Sequence, residues 1–80
     1  MNATDTELLT YGVIELAAFR ADMRTITSLN EGYTRRIAAA RLRDVLRNQT
    51  ERRNAAGLTP AQAERACRLA AENERKAVQP

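Results

Sequence analysis

The sequence predicts an all-α protein, a single domain over residues 1–80 built as a small bundle of three helices and paired as a dimer. Three observations lead there. Apolar residues in the first third recur at steps of three and four, the spacing that keeps side chains on one seam of a helix. Thr-x-x-Glu, Ser-x-x-Glu and Thr-x-x-Gln runs supply helix-start signals, and a Gly-Leu-Thr-Pro run divides the second half. No strand pattern, internal repeat or low-complexity linker is present.

Thr4 and Glu7 have the spacing of a capping box, so the first helix is expected from Asp5 to about Leu29. Leu9, Gly12, Leu16, Phe19, Met23 and Ile26 form its main seam, widened by Leu8. Ile14, Ala17, Ala21 and Ser28, with Thr10 beside them, lie on another face whose small residues allow a second helix close approach. One helix with two seams calls for more than one neighbour. Val13, Ile14, Ala17 and Ala21 are accordingly the expected self-association surface.

Ser28 and Glu31 repeat the capping spacing, and Asn30 and Gly32 tolerate turn conformations, which places a second helix over about residues 32–56. A kink in one longer helix is the alternative. In the second helix Ala38, Leu42, Val45, Leu46 and Gln49 share one face, expected to lie on helix 1, while Arg36, Ala40, Arg43 and Arg47 share another. Gly57 suits the left-handed residue that closes a helix, Thr59 is a cap, Pro60 occupies the first turn, and Gln62 completes a box. The third helix, about residues 60–77, then offers a thin inner face of Ala63, Ala66, Cys67, Ala70 and Ala77. Glu64–Arg68 and Glu72–Lys76 are favourable pairs on its outside.

Charge is distributed unevenly along these helices. Gly32 to Gly57 holds seven arginines against Asp44 and Glu51, a local charge of +5, whereas Met1 to Glu31 carries −3 and Leu58 to Pro80 carries +1. Arg35, Arg41 and Arg47 have acids within helical reach. Arg36, Arg43, Arg52 and Arg53 have none, so these four with Arg47 form the expected partner-binding basic face. Glu15 and Asp22, seven apart on helix 1, read as a solvated acidic face.

Catalysis requires a group that titrates near the working pH or an activated nucleophile. The chain has no histidine, and its one cysteine, Cys67, reads as a small buried residue. No enzyme activity, cofactor or metal is expected, and no internal disulfide can form. No stretch is apolar enough to cross a bilayer and the N-terminus lacks the pattern of a signal peptide, so a cytoplasmic protein is expected. Arginine outnumbers lysine twelve to one and alanine is abundant, a bias consistent with a GC-rich bacterial or mobile-element source.

Within Leu42 to Ala66, the residues Leu46, Arg53, Ala56-Gly57-Leu58-Thr59, Gln62, Ala63 and Glu64 resemble the first two helices of Cro/repressor-type helix-turn-helix proteins. The resemblance implies a DNA-binding regulator. It covers about a third of the chain and stops at Cys67-Arg68-Leu69-Ala70-Ala71, where such domains need a glycine turn and a recognition helix. Gly-Leu-Thr-Pro is also a generic helix connection. The leading expectation is therefore a non-enzymatic protein that regulates or inhibits a protein partner by stoichiometric binding, as a phage or mobile-element inhibitor of a host complex would. A dimeric DNA- or RNA-binding regulator is the alternative, and a subunit completing a larger assembly is a third reading.

Overall fold

The computed structural model describes residues 3–27 and 35–78 and is all-α: α1 (Asp5–Thr27), α2 (Arg35–Ala55) and α3 (Pro60–Val78). The Ser28/Glu31 box, the turn at Asn30 and Gly32, and the expected end of helix 1 and start of helix 2 lie outside the described residues. Both outer caps form, the second as a full reciprocal box and the first with the Glu7 carboxylate on the Thr4 hydroxyl and not on its amide. The Glu7 amide donates to Thr4 Oγ1 at 3.2 Å, and the Thr4 hydroxyl in turn donates to the Glu7 carboxylate at 3.1 Å. At α3 the box is reciprocal, with the Gln62 amide on Thr59 Oγ1 (3.1 Å) and the Thr59 amide on Gln62 Oε1 (2.8 Å).

Between α2 and α3 the chain turns in a Schellman motif. The Leu58 amide reaches the Arg53 carbonyl at 3.2 Å and the Gly57 amide reaches the Asn54 carbonyl at 3.0 Å. This requires a left-handed residue, and Gly57 adopts φ 72°.

The main packing is α1 on α3. Arg65 of α3 meets Asp5, Ala66 and Ala70 meet Gly12, and Glu74 meets Arg20, so contacts ascend together and the two helices run in the same sense. Gly12 sits at the crossing. A Cβ there would overlap the carbonyl of Ala66 and lie 3.1 Å from Ala70 Cβ, so the backbones approach as only small residues permit. Ala66 and Ala70 are fully buried beneath it. The thin alanine face of α3 thus packs at close range as expected, except that Ala77 is exposed. Neither Glu64–Arg68 nor Glu72–Lys76 closes to ion-pair distance; among the described residues the salt bridges of α3 go to α1 instead.

On α1, every member of the Leu9 to Ile26 seam is turned inward, yet Leu9, Leu16, Phe19, Met23 and Ile26 are only half-buried. The buried apolar side chains among the described residues are Leu8, Val45, Ala66 and Ala70. Shape explains the shortage. The molecule measures 45 × 36 × 14 Å, where a compact chain of this length is about 30 Å across, and its radius of gyration is 14.8 Å against about 12 Å. A slab 14 Å deep has no room to surround a helix. Its accessible surface, 6186 Å², exceeds the roughly 4,800 Å² of a compact 8.9 kDa protein by about 1,400 Å².

α2 differs most from expectation. Of the face predicted to lie on helix 1, Val45 is buried and Ala38 and Gln49 are half-buried, but Leu42 and Leu46 remain 42% and 47% exposed. From Arg35 to Asp44 no residue is buried. On α1, α2 approaches along Glu15 and Asp22, and Thr10, Ile14, Ala17 and Ala21 of the second seam are exposed.

Candidate functional site

Three features carry the charge and apolar surface of the fold: a polar clasp between α1 and α2 that uses its charge internally, an outward arginine–leucine face on α2, and a cleft where the three helices meet.

The clasp is built by Arg52. Its guanidinium donates side-on to Glu15, Nε to Oε2 at 2.6 Å and Nη2 to Oε1 at 2.9 Å, and Nη1 reaches Asp22 Oδ2 at 3.5 Å. Glu15 is 2% exposed, so the reading of Glu15 and Asp22 as a solvated acidic face is corrected: Glu15 is a buried carboxylate and needs a cation. The hydrogen bonds Arg52 donates to Glu15 hold the pKa of its guanidinium above its ordinary value, reinforced by the charges of Glu15 and Asp22. Arg52 is expected in the partner-facing set because no acid lies three or four residues from it, although Glu51 is adjacent. The structure places its guanidinium on an acid 37 residues away, so its charge is used inside the chain.

The remaining arginines of that set divide. Arg47 pairs with Asp44 at 3.0 Å on an exposed turn, worth little on its own. Arg36 and Arg43 are exposed, two turns apart, with no ion pair among the described residues. Helical phase puts Arg43 beside the Leu42 and Leu46 stripe and Arg36 in line with Arg43. The first half of α2 therefore presents two half-exposed leucines next to two unneutralised guanidinium groups. On α1, the four expected self-association residues do share one outward face: Val13 and Ile14 are 48% and 62% exposed, and Ala17 and Ala21 are exposed with them.

Arg53 turns the other way, into a cleft of about 480 Å³ between the diverging α2 and α3, floored by α1. Tyr11, Arg53, Ala63, Cys67 and Arg68 are among its lining residues. Two polar atoms here are buried without a protein hydrogen-bond partner, Tyr11 Oη and Arg53 Nε. Burial, with the charge of Glu15, pushes the Tyr11 phenol above its ordinary pKa and does the same to the Cys67 thiol. Cys67 is thus held as the neutral thiol, the poorer nucleophile. Among the described residues no cluster of three or more His, Cys, Asp or Glu side chains is placed to hold a metal ion, and no helix is long and apolar enough to cross a membrane.

Sequence reasoning missed Gly12 as a crossing point, although it placed the residue on the main seam, and it missed the Glu15–Arg52 clasp. A signal for the clasp was present: an acid pair one heptad apart on α1, and an arginine on α2 with no local partner. Spacing within a helix could not join them. Compared with known proteins, the chain matches no family model, no curated protein and no solved structure.

Proposed function

We propose that this chain is a non-enzymatic, homodimeric binding protein that regulates or inhibits a protein partner by stoichiometric binding, the role of a phage or mobile-element inhibitor of a host complex. The observation that carries the proposal is the first part of α2, in which no residue from Arg35 to Asp44 is buried among the described residues and which sets Leu42 and Leu46 beside Arg36 and Arg43. Half-exposed leucines bordered by unpaired arginines match the composition of a protein interface, in which apolar anchors bind and arginines select an acidic rim. A surface dedicated to phosphates would be expected to carry polar residues in their place.

The excess surface supports the dimeric reading. A deficit of about 1,400 Å² per chain is on the scale that one subunit covers in an obligate interface. Val13, Ile14, Ala17 and Ala21 provide a face whose small residues admit a second helix closely. The DNA- or RNA-binding alternative has the Gly57–Pro60 turn in its favour, but α3 continues unbroken to Val78 where a recognition helix would begin.

Sedimentation at micromolar concentration should give a two-chain mass, and Ile14→Asp a single-chain mass with helicity retained. A wild-type monomer would remove the dimer. Partner capture from the source cell should then be compared for wild type, Leu42→Asp and Arg43→Glu. Loss of the same protein from both variants supports the α2 surface. Steeply salt-dependent binding of generic duplex DNA, abolished by Arg43→Glu/Arg47→Glu, would establish the nucleic-acid reading in its place.

A further inference from the structure

The cleft between α2 and α3 is separate from the two surfaces just described and has a chemistry of its own. We infer that it is a binding site for a small aliphatic carboxylic acid, the carboxylate received by Arg53 and Tyr11 and the chain by the alanine-lined wall of α3.

The adjacent residue shows how such a group is bound. Arg52 offers Nε–H and Nη2–H along one edge of its guanidinium, and the Glu15 carboxylate takes both at 2.6 and 2.9 Å. Arg53 has the same edge unfilled: Nε has no partner, and Nη2 makes only a contact at 3.5 Å with Asn54 Oδ1, the limit of a hydrogen bond. A carboxylate is the group whose geometry satisfies that edge with two parallel bonds. The Tyr11 hydroxyl, also without a protein partner and protonated at neutral pH like any phenol, supplies a third donor.

A buried donor left unmade is costly, and two in one cleft mark a place where a ligand recovers more than it displaces. The rest of the lining suits the remainder of such a molecule. Ala63 and Ala71 with the neutral Cys67 thiol make an apolar wall, and Arg68 and Glu64, both exposed, add one charge of each sign, so the positive charge offered to the ligand is that of Arg53. Glu15, the buried acid at the floor, is neutralised by Arg52 and so does not repel an incoming anion. A volume of about 480 Å³ lies in the range of small-molecule pockets. Nε and Oη are both shut off from solvent, so the Arg53 head must swing aside as the carboxylate enters.

The probe is octanoate, with octanol as the matched alcohol, titrated into the full chain while the arginine Nε–H and tyrosine ring NMR signals are followed. Octanoate should shift the Arg53 Nε–H and Tyr11 signals saturably and bind about tenfold or more tighter than octanol, the ratio expected for a hydrogen bond to a charged group. Arg53→Lys, which keeps the charge and loses the fork, should reduce octanoate affinity toward that of octanol, and Tyr11→Phe should weaken it several-fold. Equal affinity for octanoate and octanol, undiminished binding in Arg53→Lys, or shifts confined to residues outside the cleft would overturn the assignment. None of these readouts depends on a macromolecular partner, so the site stands or falls independently of the proposed function.

Discussion

Removing Arg52 should harm this protein more than removing the acid it binds. In Arg52→Ala the Glu15 carboxylate, 3% exposed at its side chain, stays under α2 with no cation, a situation that costs about 3–5 kcal/mol in protein interiors. Partial relaxation of α2 places the expectation near about 3 kcal/mol, because α2 is held to α1 by few other contacts. Glu15→Ala is milder. The stranded guanidinium is 29% exposed and keeps Asp22 at 3.5 Å, so the loss should be about 1.5 kcal/mol. With both residues changed to alanine no buried charge is left, and the double variant should lose about 2.5 kcal/mol, a coupling of about 2 kcal/mol. Urea unfolding followed by far-UV circular dichroism, at one fixed protein concentration, measures all four proteins. A small chain holds only a few kcal/mol in reserve, so Arg52→Ala should sit at the edge of unfolding at 25 °C. A larger loss from Glu15→Ala than from Arg52→Ala, or a coupling below about 0.5 kcal/mol, would show that the clasp is a solvated pair and that the burial argument is wrong.

Two further predictions concern the crossing and the cleft. Gly12→Ala should destabilise by about 2 kcal/mol or more in the same assay, although alanine is the better helix former by about 1 kcal/mol, because the added carbon meets backbone. Ala66→Gly should not rescue it, since the obstruction is the Ala66 carbonyl; rescue would place the clash on a side chain. Tyr11→Phe should leave stability at neutral pH unchanged or raised by up to about 1 kcal/mol, since it removes a buried hydroxyl that has no protein partner. Because the folded phenol titrates above its unfolded value of 10.0, its contribution is complete below about pH 10 and is lost as pH rises through the folded value. The alkaline fall in melting temperature should therefore be shallower in Tyr11→Phe than in wild type, and identical slopes would refute the assignment.

Local chemistry made much of the fold readable. Thr4, Gly57, Thr59, Pro60 and Gln62 each satisfy backbone groups within a few residues, so their geometry follows from the sequence alone, and the caps and the turn stand where their spacing puts them. The inward seam from Leu9 to Ile26 was legible for the same reason, since helical periodicity is a local property. Leu42 and Leu46 were misplaced because periodicity identifies an apolar face without saying whether another element reaches it. Here α2 diverges from α3 and α1 covers only its far half, leaving that face half-exposed.

For the candidate sites the division is the same. The residue types, the +5 charge of the second segment and the lack of histidine were fixed by the chain itself, and so was the small-residue face of α1. Tertiary packing decided what each arginine does: Arg52 closes on a buried acid, Arg53 lines a cleft, and Arg36 and Arg43 remain outside. The physical reason is range. Capping and periodicity act within one or two turns, whereas the cost of burying Glu15 and the close approach at Gly12 arise only when segments far apart in sequence meet and exclude water between them.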